Sequence, residues 1–140
     1  MELTRRNAIL MSAGALAALG LPVELAAAPG DDLIAAFTGG ADVADGGDIT
    51  LTAPEIAENG NTVPIEVSSD SAVEIMVLAL GNPTPPVATF KFGALAASRA
   101  ASTRIRLAGT QDVVAVAKLD DGSFVKTSAT VKVTIGGCGG

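Results

Sequence analysis

Val125-Lys126-Thr127-Ser128-Ala129-Thr130-Val131-Lys132-Val133-Thr134-Ile135 alternates in character from end to end. Its odd positions, Val125, Thr127, Ala129, Val131, Val133 and Ile135, form one face suited to a core. Its even positions, Lys126, Ser128, Thr130, Lys132 and Thr134, form a face suited to water. A period of two is the signature of a half-buried β-strand. Upstream, Asp121-Gly122 supplies a tight hairpin turn, and residues 113–119 form the strand that enters it. In residues 103–107, Ile105 and Leu107 alternate with Arg104 and Arg106, which read as a solvated face.

The same period continues toward the N-terminus. Residues 87–92 read as a strand, and the Pro-rich 81–86 as a loop. Residues 73–80 are apolar on both faces except at Glu74, as in a central strand. Residues 62–68 alternate Val63, Ile65 and Val67 with Pro64 and Glu66, and Pro64 predicts an edge strand. Residues 54–61 read as a turn in which Asn59-Gly60 supplies positive φ, and 49–53 as a short strand. Residues 38–47 read as a Gly- and Asp-rich loop. Asp31-Asp32-Leu33-Ile34-Ala35-Ala36-Phe37 reads as a short helix with Asp31 as N-cap. About seven short strands at regular spacing predict an all-β, antiparallel sandwich of immunoglobulin-like architecture. The domain is expected to span residues 29–135.

The residue inventory narrows the chemistry. The 140 residues include no His, Trp or Tyr and one Cys. No His-based general base or imidazole metal ligand is available. One cysteine makes neither an internal disulfide nor a CxxC pair. No EF-hand spacing is present, so no metal site and no cofactor are expected. The net charge of −6 argues against nucleic acid. The charge is also lopsided. Ten carboxylates and no basic residue lie between Asp31 and Glu74, against seven basic and three acidic residues between Lys91 and Lys132. Two solvated faces account for this, and a polar rim for a charged partner is the sharper alternative.

The chain opens Thr4-Arg5-Arg6-Asn7-Ala8-Ile9-Leu10, and an Ala/Leu-rich apolar run extends from Ala8 to Leu19. The run is too short to span a membrane. With Ala26-Ala27-Ala28 following it, residues 1–28 read as a signal peptide, and Arg5-Arg6 points to the twin-arginine route. That route carries folded cargo. The expectation is a periplasmic protein, free of the membrane after leader removal, exported together with a leaderless partner.

After Ile135 the sequence is Gly136-Gly137-Cys138-Gly139-Gly140. Glycine has the largest backbone freedom, so residues 136–140 read as a flexible arm that carries a thiol. No Lys or Arg lies near Cys138 to depress its pKa, and no second cysteine can discharge an adduct. The sulfur therefore suits a carrier activated by partner enzymes. An interchain disulfide between exported structural domains is the other reading of a lone cysteine.

The ending Val131-Lys132-Val133-Thr134-Ile135-Gly136-Gly137-Cys138-Gly139-Gly140 resembles the signature end of the SoxY family of sulfur carriers. Pro54-Glu55-Ile56-Ala57-Glu58-Asn59-Gly60-Asn61-Thr62-Val63-Pro64, Ser102-Thr103-Arg104-Ile105-Arg106-Leu107, Asp121-Gly122-Ser123-Phe124 and Asp32-Leu33-Ile34-Ala35-Ala36-Phe37 are similar to further blocks of that family. The resemblance implies covalent attachment of sulfur intermediates to Cys138 and no catalysis by the chain itself. It implies an immunoglobulin-like SoxZ subunit as partner. It also implies service by a haem cytochrome, a dimanganese hydrolase and a sulfur dehydrogenase of the thiosulfate-oxidising system.

Overall fold

A computed structural model of the chain describes residues 30–137. Arg5, Arg6 and the rest of the proposed leader, and Cys138, Gly139 and Gly140 of the proposed arm, lie outside the described residues. In chain order the elements are α1 (Asp31–Thr38), β1 (Val43–Asp45), β2 (Thr50–Thr52), β3 (Ile56–Asn59), β4 (Val63–Ser68), β5 (Ala72–Ala79), β6 (Pro86–Lys91), β7 (Ala100–Ile105), β8 (Gln111–Leu119) and β9 (Phe124–Ile135). The larger sheet runs β1-β9-β8-β5-β6, with β3 also paired to β9, and the smaller runs β2-β4-β7.

The inner faces of the two sheets make the main core. Val63, Ile65 and Val67 of β4 pack with Ile75 and Val77 of β5, Val113 and Ala115 of β8, and Val131 of β9. β5 is apolar on both faces because it is covered twice. Its odd residues meet the smaller sheet. Its even residues Met76 and Leu78, with Val114 and Val116 of β8, lie under Leu33, Ile34 and Phe37 of α1. Burying each such aliphatic side chain contributes about 1.5–3 kcal/mol. Phe37 closes the helix layer against Phe124 edge-on, with ring centroids 5.9 Å apart at 74°.

The immunoglobulin-like sandwich matches the sequence reading, and the departures from it have physical causes. Among the described residues nine strands form rather than seven. β1 arises in the segment expected to be a loop, and β3 in the segment expected to be a turn. Both add in parallel to the outer edge of β9, with Val43↔Phe124 and Ile56↔Lys132 as first pairs. The sandwich is thus not wholly antiparallel. These short polar strands owe their form to pairing with β9, whose open edge they cover.

Pro64 lies on the middle strand of the smaller sheet, not on an edge strand. It is tolerated because β2 ends first, at Thr52↔Glu66, which leaves β4 a local edge. The helix N-cap is Gly30 at φ 88°, without a side-chain cap, so Asp31 and Asp32 occupy the first turn instead, where acidic charge suits the helix dipole. Ile135 is 66% exposed, because β9 outruns the core at that end.

A carboxylate staples the turn between β4 and β5. Asp48 accepts bonds from the Asp70 amide (2.7 Å) and the Ser71 amide (2.9 Å), and from the Ser71 hydroxyl. The Ser71 hydroxyl first, then the Asp70 amide, hold the Asp48 carboxyl below its usual range. A carboxyl whose pKa is lower folded than unfolded stabilises the fold fully above about pH 4, and that contribution is lost as pH falls through the folded value. Asp48→Asn is therefore expected to lower Tm at neutral pH and to lower it less in acid at about pH 3. Thermal melts at both pH values check this, and an equal deficit at both would contradict it.

Candidate functional site

The site is built where β9 ends, because the cysteine follows three residues later in the sequence. Three segments meet there: Gly60 after β3, Leu107 after β7, and residues 135–137 after β9. The Gly60 amide donates to the Ile135 carbonyl at 2.7 Å. The Leu107 amide donates to the Gly60 carbonyl at 2.8 Å, and the Gly137 amide donates to the Leu107 carbonyl at 2.8 Å. These bonds close a ring that joins the two sheets at one end of the sandwich. The Leu107 side chain is fully buried beneath it.

The ring requires glycine for lack of a Cβ. At Gly60 a Cβ would run into the Leu107 carbonyl oxygen and come within 2.8 Å of the Gly137 nitrogen. At Gly136 it would run into the Ala108 carbonyl, and at Gly137 it would stand 2.8 Å from the Gly60 carbonyl oxygen. None of the three has positive φ. The sequence reading of Gly60 as a left-handed turn residue is thus corrected: close approach of backbones demands it. Of the arm read from residue 136, the described residues are Gly136 and Gly137: the Gly137 amide donates to the Leu107 carbonyl, and a Cβ on Gly136 would meet the Ala108 carbonyl.

A buried polar pair supports the ring from below. Asn82 and Gln111 are 7% and 8% exposed. The Asn82 amide nitrogen donates to the Arg106 carbonyl (2.8 Å), and its oxygen accepts from the Ala108 amide (2.9 Å) and from Gln111 Nε2 (2.8 Å). Gln111 also donates to the Gly109 carbonyl (3.0 Å) and accepts from the Gly81 amide (2.9 Å). The carbonyl and amide that Asn82 holds flank Leu107 on either side. Buried amides satisfied in this way fix local geometry. Composition gave no signal for either residue: Asn82 sits in a loop read only from its prolines, and Gln111 precedes an apolar run.

Among the described residues no group of His, Cys, Asp or Glu could hold a metal ion. Arg104 and Arg106 are exposed, and Arg104 reaches Thr62 Oγ1 at 3.3 Å. What the described residues define is a β-sandwich module whose two sheets are tied together by a backbone ring where β9 ends.

A family model described as sulfur oxidation protein SoxY matches residues 34–138. The solved structure of the sulfur carrier protein SoxY from Chlorobium limicola f thiosulfatophilum is similar at 35% identity. It covers 76% of this chain and 97% of its own, with a TM-score of 0.67. Superoxide reductase (neelaredoxin) from Ignicoccus hospitalis shares the fold at 17% identity, over 62% of this chain and 80% of its own, with a TM-score of 0.54. The comparison with curated proteins gave no match. The chain belongs to the SoxY family, whose members are sulfur carriers in sulfur oxidation and not enzymes.

If the ring is as tight as its distances imply, Gly60→Ala should cost about 1–3 kcal/mol through overpacking. Gly93→Ala, where a Cβ meets nothing within 4 Å, should stay within about 0.5 kcal/mol. Chemical denaturation of both variants measures the difference, and equal losses would contradict the steric account.

Proposed function

We propose that Cys138 is the covalent attachment site for sulfur and that this chain presents its sulfur adducts to separate enzymes in the periplasm. The observation that carries the reading is the single cysteine of the chain, set in Gly136-Gly137-Cys138-Gly139-Gly140, within the stretch matched to the SoxY family. In the sequence Cys138 follows Gly137, the last residue of the backbone ring, and no Lys, Arg or His neighbours it there. The enzymes supply activation.

In the first step the Cys138 thiol and thiosulfate form a sulfur–sulfur bond. The thiol loses its proton and two electrons pass to a haem cytochrome as oxidant, leaving a cysteine S-thiosulfonate. Water then attacks the terminal sulfonate sulfur in a dimanganese hydrolase. Sulfate leaves with release of two protons, and a persulfide remains on Cys138. A sulfur dehydrogenase oxidises that sulfur further, or it is handed on. A SoxZ-like immunoglobulin-fold subunit completes the carrier as a heterodimer, and export follows the twin-arginine route through Arg5 and Arg6. Gly139 and Gly140 leave the thiol without bulky neighbours, which suits entry into narrow active-site channels.

Cys138→Ser is expected to abolish thiosulfate-dependent electron transfer in the reconstituted enzyme system while shifting Tm by no more than about 3 °C, the equivalent of about 0.5 kcal/mol in a domain of this size. Retained turnover by the serine variant would refute the assignment.

A further inference from the structure

The tether of the carrier cysteine has two possible starting points, and they differ in reach. If the chain were free from the end of β9, two residues would separate Ile135 from Cys138, three steps of chain that span up to about 11 Å. If Gly137 is held, one residue step remains, about 3.8 Å between Cα atoms. The hydrogen bond from Gly137 to the Leu107 carbonyl, with Gly136 fitted against Ala108, selects the short tether.

What holds Leu107 itself in place lies further back. Its amide is bound by Gly60. The carbonyl before it and the amide after it, of Arg106 and Ala108, are both bound by Asn82, which Gln111 bridges in turn to Gly81 and Gly109. A peptide plane fixed at both neighbours cannot rotate its carbonyl away from Gly137. We propose that Asn82 and Gln111 are positioning residues for the carrier cysteine. Acting through the Leu107 carbonyl, they clamp Gly137, so that the backbone is held as far as residue 137 and not only to the end of β9. This inference rests on the carrier reading of Cys138 for its functional meaning, and on the backbone ring alone for its structural content.

The clamp divides the glycines of the ending by role. Gly136 and Gly137 are required for docking, where a Cβ would collide. A partner enzyme that takes sulfur from Cys138 must therefore approach the ring end of the sandwich closely, because one residue step separates the cysteine from the held Gly137.

Amide hydrogen exchange by NMR on the full mature chain, together with its partner subunit where one is needed for solubility, tests the clamp. In the unsubstituted protein the Gly137 amide should exchange at least about tenfold more slowly than in an unstructured peptide. Asn82→Ala should remove that protection while leaving the Ile75 and Val114 amides protected. Gly136→Ala, which opens the ring by collision with Ala108 and leaves the polar pair intact, should do the same. It also serves if Asn82→Ala does not fold. The double variant should add nothing to either single one, since both open one ring. An unprotected Gly137 in the unsubstituted protein would overturn the clamp. Protection that persists in Asn82→Ala would overturn the role of Asn82. The exchange readout needs no sulfur chemistry, so it stands or falls separately from the serine substitution at Cys138.

Discussion

A ring of backbone hydrogen bonds, Ile135 to Gly60 to Leu107 to Gly137, determines how this domain ends. It ties the last strand of one sheet to the strand exit of the other, at the point where the cysteine-bearing tail leaves. Such a ring forms only if three backbones come within hydrogen-bonding distance of one another at once, and that geometry excludes side chains at Gly60 and Gly136. The buried pair Asn82 and Gln111 then has a clear purpose. It fills the hydrogen-bonding needs of a loop that would otherwise be free to turn its carbonyls elsewhere.

The body of the domain serves as a rigid mount. Its core is made almost entirely of Val, Ile, Leu and Ala on β4, β5, β8 and β9, small aliphatic side chains that let two sheets pack closely. One helix shields the outer face of β5 and β8, and two short parallel strands cover the edge of β9. On the proposed reading, in which the chemistry occurs in other proteins' active sites, such a body needs rigidity behind its attachment point more than it needs a pocket.

Much of this was legible in the residues. The alternation of β9 and β4, the doubly apolar β5, the Asp121-Gly122 hairpin and the short helix all follow from side-chain period and turn chemistry, which are local properties. The GGCGG ending pointed to the family as well. What the sequence did not reveal depends on contacts between distant residues. β1 and β3 are too short and polar to declare themselves without β9 beside them. Pro64 pointed to an edge that exists only because β2 stops early. The glycines at 60, 136 and 137 invite an explanation from backbone freedom, whereas close approach of non-adjacent segments is what requires them. Asn82 and Gln111 carry no periodic or motif signal, since their role is defined by carbonyls and amides that only the folded loop brings within reach.

The central claim is that sulfur travels on Cys138, and intact mass spectrometry tests it most directly. The protein would be purified from cells oxidising thiosulfate and weighed before and after treatment with a reductant. The account predicts reductant-labile additions corresponding to sulfur atoms or a sulfonate-bearing fragment, confined to the peptide that contains Cys138. A bare thiol throughout, or a disulfide between two copies of this chain as the sole modification, would contradict it.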